Sequence, residues 1–518
     1  MKKRRLVSVL LAAAVGISGL SACGGQESGG GGASSAAVSG SQETVQGSMG
    51  GMDTGNQAEE GVTITLAQGQ GDATAAVIRE VVSDWEAKTG NKVEFIDLAS
   101  DGIDTWITAQ FAAGTEPDIM WVVLGSAMDD YFKQGKIMDL TDYYKKENVH
   151  NGIKWEDCFL DGVLKGCMDV SGEHYLGVTT SRAEVKLYYN MDLMEELGME
   201  PKAPENVSGL MDMLKVVKED GRYIPMSVMN SMSWNLGWLP ETFTQSLYES
   251  KGLDVYNKLN IITENEKLDD PELAAGLLAG VINYDDPQMV EYHRIMKEMS
   301  QYFNEDFNAA SWEYEALFNE GEAVFNFNGG WFPGQALANG IAVNWGAGNI
   351  PYVDDKASGL GRSRGFHFAP SAGECHLFVS QKCADEGRAD AAVSLLQYMT
   401  DYKTGAQKLL DGLMTMPTVE GLVYPDALAS LNPSDDGSET AGETQYDYIK
   451  YYNRIFMLTD EMNAMYWNMY TEFMDPSSSR SAEEFCQDVK KALMPLVKDY
   501  AADNTDVDIS AYAEQLKG

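Results

Sequence analysis

Three stretches of the chain carry residue types at spacings that could do chemistry. Gly361-Arg362-Ser363-Arg364-Gly365 has the spacing of a nucleophile elbow. Such a serine needs a strand before it, a helix after it, then an acid and a histidine well downstream. No apolar strand precedes Gly361, and the histidines that follow, His367 and His376, lie only 4 and 13 residues after Ser363. No helix fits between, so acyl transfer is not expected. Gly69-Gln70-Gly71-Asp72-Ala73-Thr74 follows an alternating run and opens a helical one, nearly the turn that cradles a pyrophosphate. Thr74 replaces the last small residue, and the stretch reads better as a tight turn. A twelve-residue calcium loop counted from Asp503 ends on Glu514, as it should. Its fifth position is Val507, without a side-chain oxygen, and its sixth is Asp508 where the sharp turn needs glycine. It reads as a solvated loop before a last helix. Paired carboxylates abound among 79 acids, and no constellation singles out a glycosidase pair. The expectation is therefore no catalytic residue, no metal and no cofactor.

The elements that would position any site begin near residue 61. Val62-Thr63-Ile64-Thr65-Leu66 alternates as a strand, and Ala75, Val77, Ile78, Val81, Val82 and Trp85 then repeat at helical spacing up to Gly90. A second strand over 91–97, a helix over 103–113 and a nearly continuous apolar strand over 118–123 complete the opening. Strand, helix, strand, helix, strand predicts an α/β domain with a parallel sheet. Helices are expected next over 186–198, 207–219, 240–258, 287–303 and 312–320, with a strand over 323–328. A mixed stretch over 340–385 precedes helices over 385–411, 446–474 and 481–499, with a polar loop over 432–445.

The 518 residues suffice for two domains. A formal charge of −41 repels phosphate backbones, so no nucleic-acid partner is expected. Lys2, Lys3, Arg4 and Arg5 precede an apolar run over 6–20, the pattern of a secretory signal. Losing these four cations leaves the remainder at −45, 34 Lys and Arg against 79 Asp and Glu. After Cys23 five cysteines remain, an odd number that argues against a full disulfide framework and predicts buried thiols. Residues 24–60 hold 11 Gly and 6 Ser in 37 positions and no aromatic. They cannot bury enough apolar surface to fold, and as a flexible coil they reach roughly 30–35 Å.

Leu20-Ser21-Ala22-Cys23 resembles the lipobox of bacterial lipoproteins. That resemblance implies removal of 1–22 and lipidation of Cys23; the alternative is a free cysteine beside an ordinary cleavage site. Residues 23–60 then tether an extracytoplasmic body to the cell membrane. Four further blocks, in order, resemble the family 1 extracellular solute-binding proteins, the maltose-binding-protein-like receptors of ABC importers. They are Phe111-Ala112-Ala113-Gly114-Thr115-Glu116-Pro117-Asp118-Ile119 with Gly135-Lys136-Ile137-Met138-Asp139-Leu140, and Leu187-Tyr188-Tyr189-Asn190-Met191-Asp192-Leu193 through Gly198. The third is Phe318-Asn319-Glu320-Gly321-Glu322-Ala323-Val324 running on to Asn328-Gly329-Gly330-Trp331, and the fourth is 390–417. The chain departs from the family at Pro204-Glu205-Asn206-Val207, where a proline-threonine-tryptophan helix start is usual, and at Gly373-Glu374-Cys375-His376. It is also longer than most members, with insertions expected near 240–290 and 425–450.

The resemblance implies an α/β, two-lobed periplasmic-binding-protein-like class II fold with crossing hinge strands. Crossings are expected near 179–184, 342–351 and 413–418. Lobe 1 is then 61–182 plus 346–415, and lobe 2 is 183–345 plus 416–518. The implied ligand is a small carbohydrate, in particular an oligosaccharide, received in the interlobe cleft by a monomer and passed unaltered to ABC permease subunits. An exported hydrolase (glycosidase or esterase), a surface adhesin, and a receptor for a peptide or other polar solute are the alternatives.

A sugar presents C–H faces that stack on aromatic planes and hydroxyls that need polar partners. Gln70 and Asp72 lie at the mouth of the first strand, Asp72 being equally a helix cap. Ser126 follows the strand 118–123, and Trp121 within it is either ligand-facing or core. Arg182 and Glu184 at the first crossing face ligand or form a hinge ion pair. Trp331, reached through two glycines that let backbone approach ligand closely, is by resemblance a stacking residue. Trp234 and Trp238 form either a second stacking wall or a packed loop, and Trp312 is expected in the core or at the rim.

Overall fold

The structure, a computed structural model, describes residues 61–517 apart from 69–71, 99–102, 122–127, 161, 170, 183–184, 232–233, 252, 263–267, 310, 363–372, 432–455 and 506. The signal, Cys23, the tether, Gln70, Ser126, Glu184, Ser363 and the polar loop 432–445 lie outside the described residues. The described part falls within one unit, 56–518.

Nine strands among the described residues form two sheets. The first has order β2-β1-β3-β9-β4, from Thr63–Gln68 (β1), Lys92–Asp97 (β2), Ile119–Trp121 (β3), Val178–Arg182 (β4) and Gly373–Val379 (β9). The second has order β6-β7-β5-β8, from Val185–Asn190 (β5), Ile224–Ser227 (β6), Ala323–Gly329 (β7) and Trp345–Asn349 (β8). β1 is parallel to both β2 and β3, as the opening pattern predicts, and β9 runs antiparallel between β3 and β4.

Helix Asp72–Thr89 lays Ile78, Val81, Val82 and Trp85 on the first sheet's core. The distant helix Ala389–Met399 returns to the same core. Trp85 Nε1 donates to Ser394 Oγ (3.2 Å) and Trp155 Nε1 to Thr400 Oγ1 (2.9 Å). Buried Asp118 locks β1 to β3: its carboxylate accepts Thr65 N–H (2.8 Å) and two guanidinium N–H groups of Arg388 (2.9 and 2.6 Å). The second sheet is buried under helices Val207–Asp220, Leu239–Tyr248, Pro287–Met299, Asp460–Met474 and Ala482–Asp503, with Ile509–Lys517 closing the same core. Asp508 Oδ1 caps that last helix by accepting Ala511 N–H (2.9 Å). None of the described helices is long and apolar enough to cross a membrane. Cys158, Cys167, Cys383 and Cys486 are free and buried, and burial pushes the Cys486 thiol up to about 12.

Two expectations are corrected. Leu187-Tyr188-Tyr189-Asn190 is strand β5, with the helix confined to Met191–Glu196. β5 lies between β7 and β8 and is buried from Lys186 to Asn190, polar ends included, so its run carries no alternation of apolar and polar residues. And β8 pairs with β5, while Ile350 and Val353 join the second core. Residues 346–362 thus belong with the second sheet, and the return to the first comes between residue 362 and β9. The outward passage needs only residues 183–184, between β4 and β5. A third strand of chain runs beside it: Arg182 N donates to Met416 O (2.8 Å) and Thr418 Oγ1 to Thr179 O (3.1 Å).

His293 sits wholly inside the second core. Its Nδ1–H donates to Met289 O (2.7 Å), so Nε2 accepts from Tyr466 OH (2.8 Å), with Cys486 Sγ 3.3 Å from Nδ1. Burial drives its pKa from 6.5 to about 3, outweighing the backbone hydrogen bond. Between these values the unfolded chain holds a proton that the folded chain refuses. The stability from this histidine is therefore complete above 6.5 and lost as pH falls towards 3. Chemical unfolding across that window is expected to show a steep loss, and His293→Phe a shallower one.

Candidate functional site

β6 and β7 are parallel neighbours, Ser227 opposite Asn326, so the chain leaves both at one edge of the second sheet. The loop after β6 carries Trp234 and Trp238, and the turn after β7 carries Trp331. Antiparallel β5 begins at that same edge, with Val185 opposite Gly329. The edge is therefore the one where the chain arrives from the first sheet. In the first sheet β1, β3 and β4 end at the edge where β9 starts, and Arg182 there begins the crossing. Both sheets thus turn their carboxyl edges to the crossing, the usual ligand position in open α/β sheets.

The loop after β6 is pinned from within. Buried Asn235 accepts Met229 N–H at Oδ1 (2.9 Å) and donates from Nδ2 to Phe327 O (2.7 Å). Its φ of 52° and ψ of −101° lie in a sparsely populated region that these bonds help to hold. Either side of it, Trp234 and Trp238 touch with centroids 4.9 Å apart. Trp331 meets Trp234 at 5.3 Å and Trp238 at 5.8 Å, and Trp312 meets Trp234 at 5.4 Å. The alternatives of a second wall and a packed loop merge: all four indoles form one wall.

Trp331 caps the helix Phe332–Asn339 and lies back across Gly329; a Cβ on Gly329 would fall inside the indole ring. The absent side chain thus makes room for the tryptophan itself, where the sequence suggested close approach of ligand to backbone. Trp234 is oriented by a relay. Its Nε1–H donates to Tyr314 OH (2.7 Å), which donates to Glu315 Oε1 (3.1 Å). Burial raises the Glu315 carboxyl above its usual range, partly offset by hydrogen bonds from Tyr314 and Asn328. Burial likewise keeps the Tyr314 phenol protonated. The arrangement offers flat π faces flanked by hydroxyl, amide and carboxyl groups.

The sequence profile of the bacterial extracellular solute-binding proteins matches residues 68–406, about two thirds of the chain. The chain belongs to that family. Among solved structures, this solute-binding protein is similar to a chitin oligosaccharide binding protein (18% identity, 85% of this chain and 99% of that one, TM-score 0.57). It is also similar to RafE in complex with raffinose (16%, 84% and 100%, 0.59). GacH of Streptomyces glaucescens, seen unliganded and with acarbose, is a third (17%, 85% and 100%, 0.55). The shared architecture is the two-lobed α/β fold of these receptors. No curated protein sequence matches the chain.

On the first-sheet side of this solute-binding protein, Trp121 and Arg182 lie at the carboxyl ends of β3 and β4. Trp121 is half-buried against two apolar clusters of that lobe. Asp72 is the first residue of its helix. Arg182 donates from Nε to Pro417 O (2.9 Å), clipping two crossing segments together. Gln68, at the end of β1, donates from Nε2 to Asp97 Oδ1 (2.8 Å), and its buried Oε1 has no partner among the described residues. Sequence reasoning missed Tyr314, Glu315 and Asn328, and of its two places for Trp312, core or rim, the exposed ring excludes the core. The Trp312-x-Tyr314-Glu315 spacing gave no signal of its own, and packing of the helix Glu313–Asn319 on β6 and β7 brings this segment to the wall.

Proposed function

We propose that this solute-binding protein captures an oligosaccharide in the interlobe cleft and delivers it unaltered to the permease subunits of an ABC importer. The observation that carries the reading is the set of three mutually touching tryptophans, Trp234, Trp238 and Trp331, at the crossing edge, flanked by Tyr314, Glu315 and Asn328. Indole faces match the C–H faces of pyranose rings, and the flanking groups match hydroxyls. A cage for a quaternary ammonium needs rings held apart around the cation; here adjoining rings are 4.9–5.8 Å apart and share one surface. The saccharide ligands named for RafE and GacH, and the chitin-oligosaccharide receptor, support the same class.

In this reading Gln70, Asp72, Trp121, Ser126, Arg182 and Glu184 belong to the opposing side of the cleft, and closure brings them to the ligand's hydroxyls. Closure is driven by the ligand's preference for the shut form, which the permease reads. Cys23 carries the lipid anchor and 24–60 the tether, and the receptor acts as an extracytoplasmic monomer without chemistry of its own. A thermal-shift screen of the purified chain over mono- and oligosaccharides tests this. A ligand at 100 times its Kd adds about 2.7 kcal/mol, so a clear rise in Tm with at least one saccharide is expected. No rise with any saccharide, but one with peptides, would contradict it.

A further inference from the structure

Trp312 differs from the other three rings of the wall. It is 59% exposed, while Trp234, Trp238 and Trp331 are partly buried. It touches Trp234 at 5.4 Å and Tyr314 at 6.2 Å, and neither Trp238 nor Trp331 among the described residues. Trp312 therefore ends the row on the solvent side. Core packing does not account for it: in the helix it introduces, Glu313–Asn319, the buried members are Tyr314 and Phe318. A lone exposed apolar side chain needs no explanation, but this one continues a wall. Its neighbours are also fixed. Trp234 is held by Tyr314, and Glu313 N–H is held by Ser311 Oγ (3.2 Å).

Resting on the carbohydrate reading, we infer that Trp312 is an outer subsite that stacks one further unit of a linear oligosaccharide, beyond the units held at Trp234, Trp238 and Trp331. A row of touching rings that passes from partly buried to exposed suits a chain of repeating units, each with an apolar face, entering by one end. The inner rings cover a short sugar completely. A longer one projects past Trp234 and meets Trp312, with the Glu313 carboxylate available to its hydroxyls. Trp312 thus sets the preference for length and leaves the affinity of the inner site alone.

The test is calorimetric titration of the wild-type chain, Trp312→Ala and Trp312→Phe against ladders of chito-, malto- and raffinose-family oligosaccharides. Each ladder runs from the shortest member that binds to the hexasaccharide. Trp312→Ala is expected to weaken the longest bound members about tenfold and to leave the shortest unchanged, with Trp312→Phe restoring most of the loss. Equal effects at every length, or none at any length, would overturn the inference while leaving the carbohydrate reading intact. Binding of no saccharide by the wild-type chain would instead defeat the carbohydrate reading, and the subsite with it.

Discussion

Replacing Trp331 by alanine is expected to weaken saccharide binding by roughly 2 kcal/mol, about thirtyfold in Kd, with little change in Tm. The ring is partly exposed and is laid over Gly329, so its loss opens no deep cavity. It also touches both Trp234 and Trp238, so removing it takes away one of the three inner rings. Gly329→Ala gives an independent check. The added methyl group occupies the position of the Trp331 indole and must displace it. A comparable loss of affinity is expected although every aromatic residue is retained. Unchanged binding in both variants, measured by calorimetry, would remove Trp331 from the site.

Asp118→Ala is expected to destabilise the folded chain by about 3 kcal/mol in chemical denaturation. The carboxylate is buried and accepts from Thr65 N, Thr65 Oγ1 and Arg388. Its removal leaves Arg388 with Glu386 as its one ionic partner among the described residues and Thr65 N–H without its acceptor. The damage falls where β1, β3 and the segment before helix Ala389–Met399 meet. Asp118→Asn, which retains an acceptor oxygen, is expected to lose less. A loss below 1 kcal/mol for the alanine variant would mean that packing alone holds these strands.

The parallel half of the first sheet was legible because its strands and helices alternate over short distances with clean periodicity, from Thr63 to Trp121. β5 was not, because a strand buried on both faces carries no alternation and abuts the helix Met191–Glu196, so period alone cannot divide the two. β8 was visible only through the resemblance, which placed a crossing strand near 342–351. Its sequence Trp345-Gly346-Ala347-Gly348-Asn349 has weak strand propensity. Its glycines serve packing: a Cβ on Gly346 would collide with the Tyr189 ring. For the site, the two glycines before Trp331 and the non-periodic Trp234/Trp238 stretch were visible in the sequence. That these tryptophans form one wall depends on the β6–β7 pairing, which joins residues about a hundred positions apart. The Trp234–Tyr314–Glu315 relay is likewise a product of tertiary packing.

The most direct test of the account is titration of the purified chain with the saccharide that raises its Tm most, followed by release and mass analysis of that saccharide. One saturable site per chain, quenching of tryptophan emission on binding, and recovery of the sugar unchanged are the expected results. Failure of every saccharide to bind, or recovery of cleaved sugar, would contradict a receptor that holds a carbohydrate on its tryptophan wall.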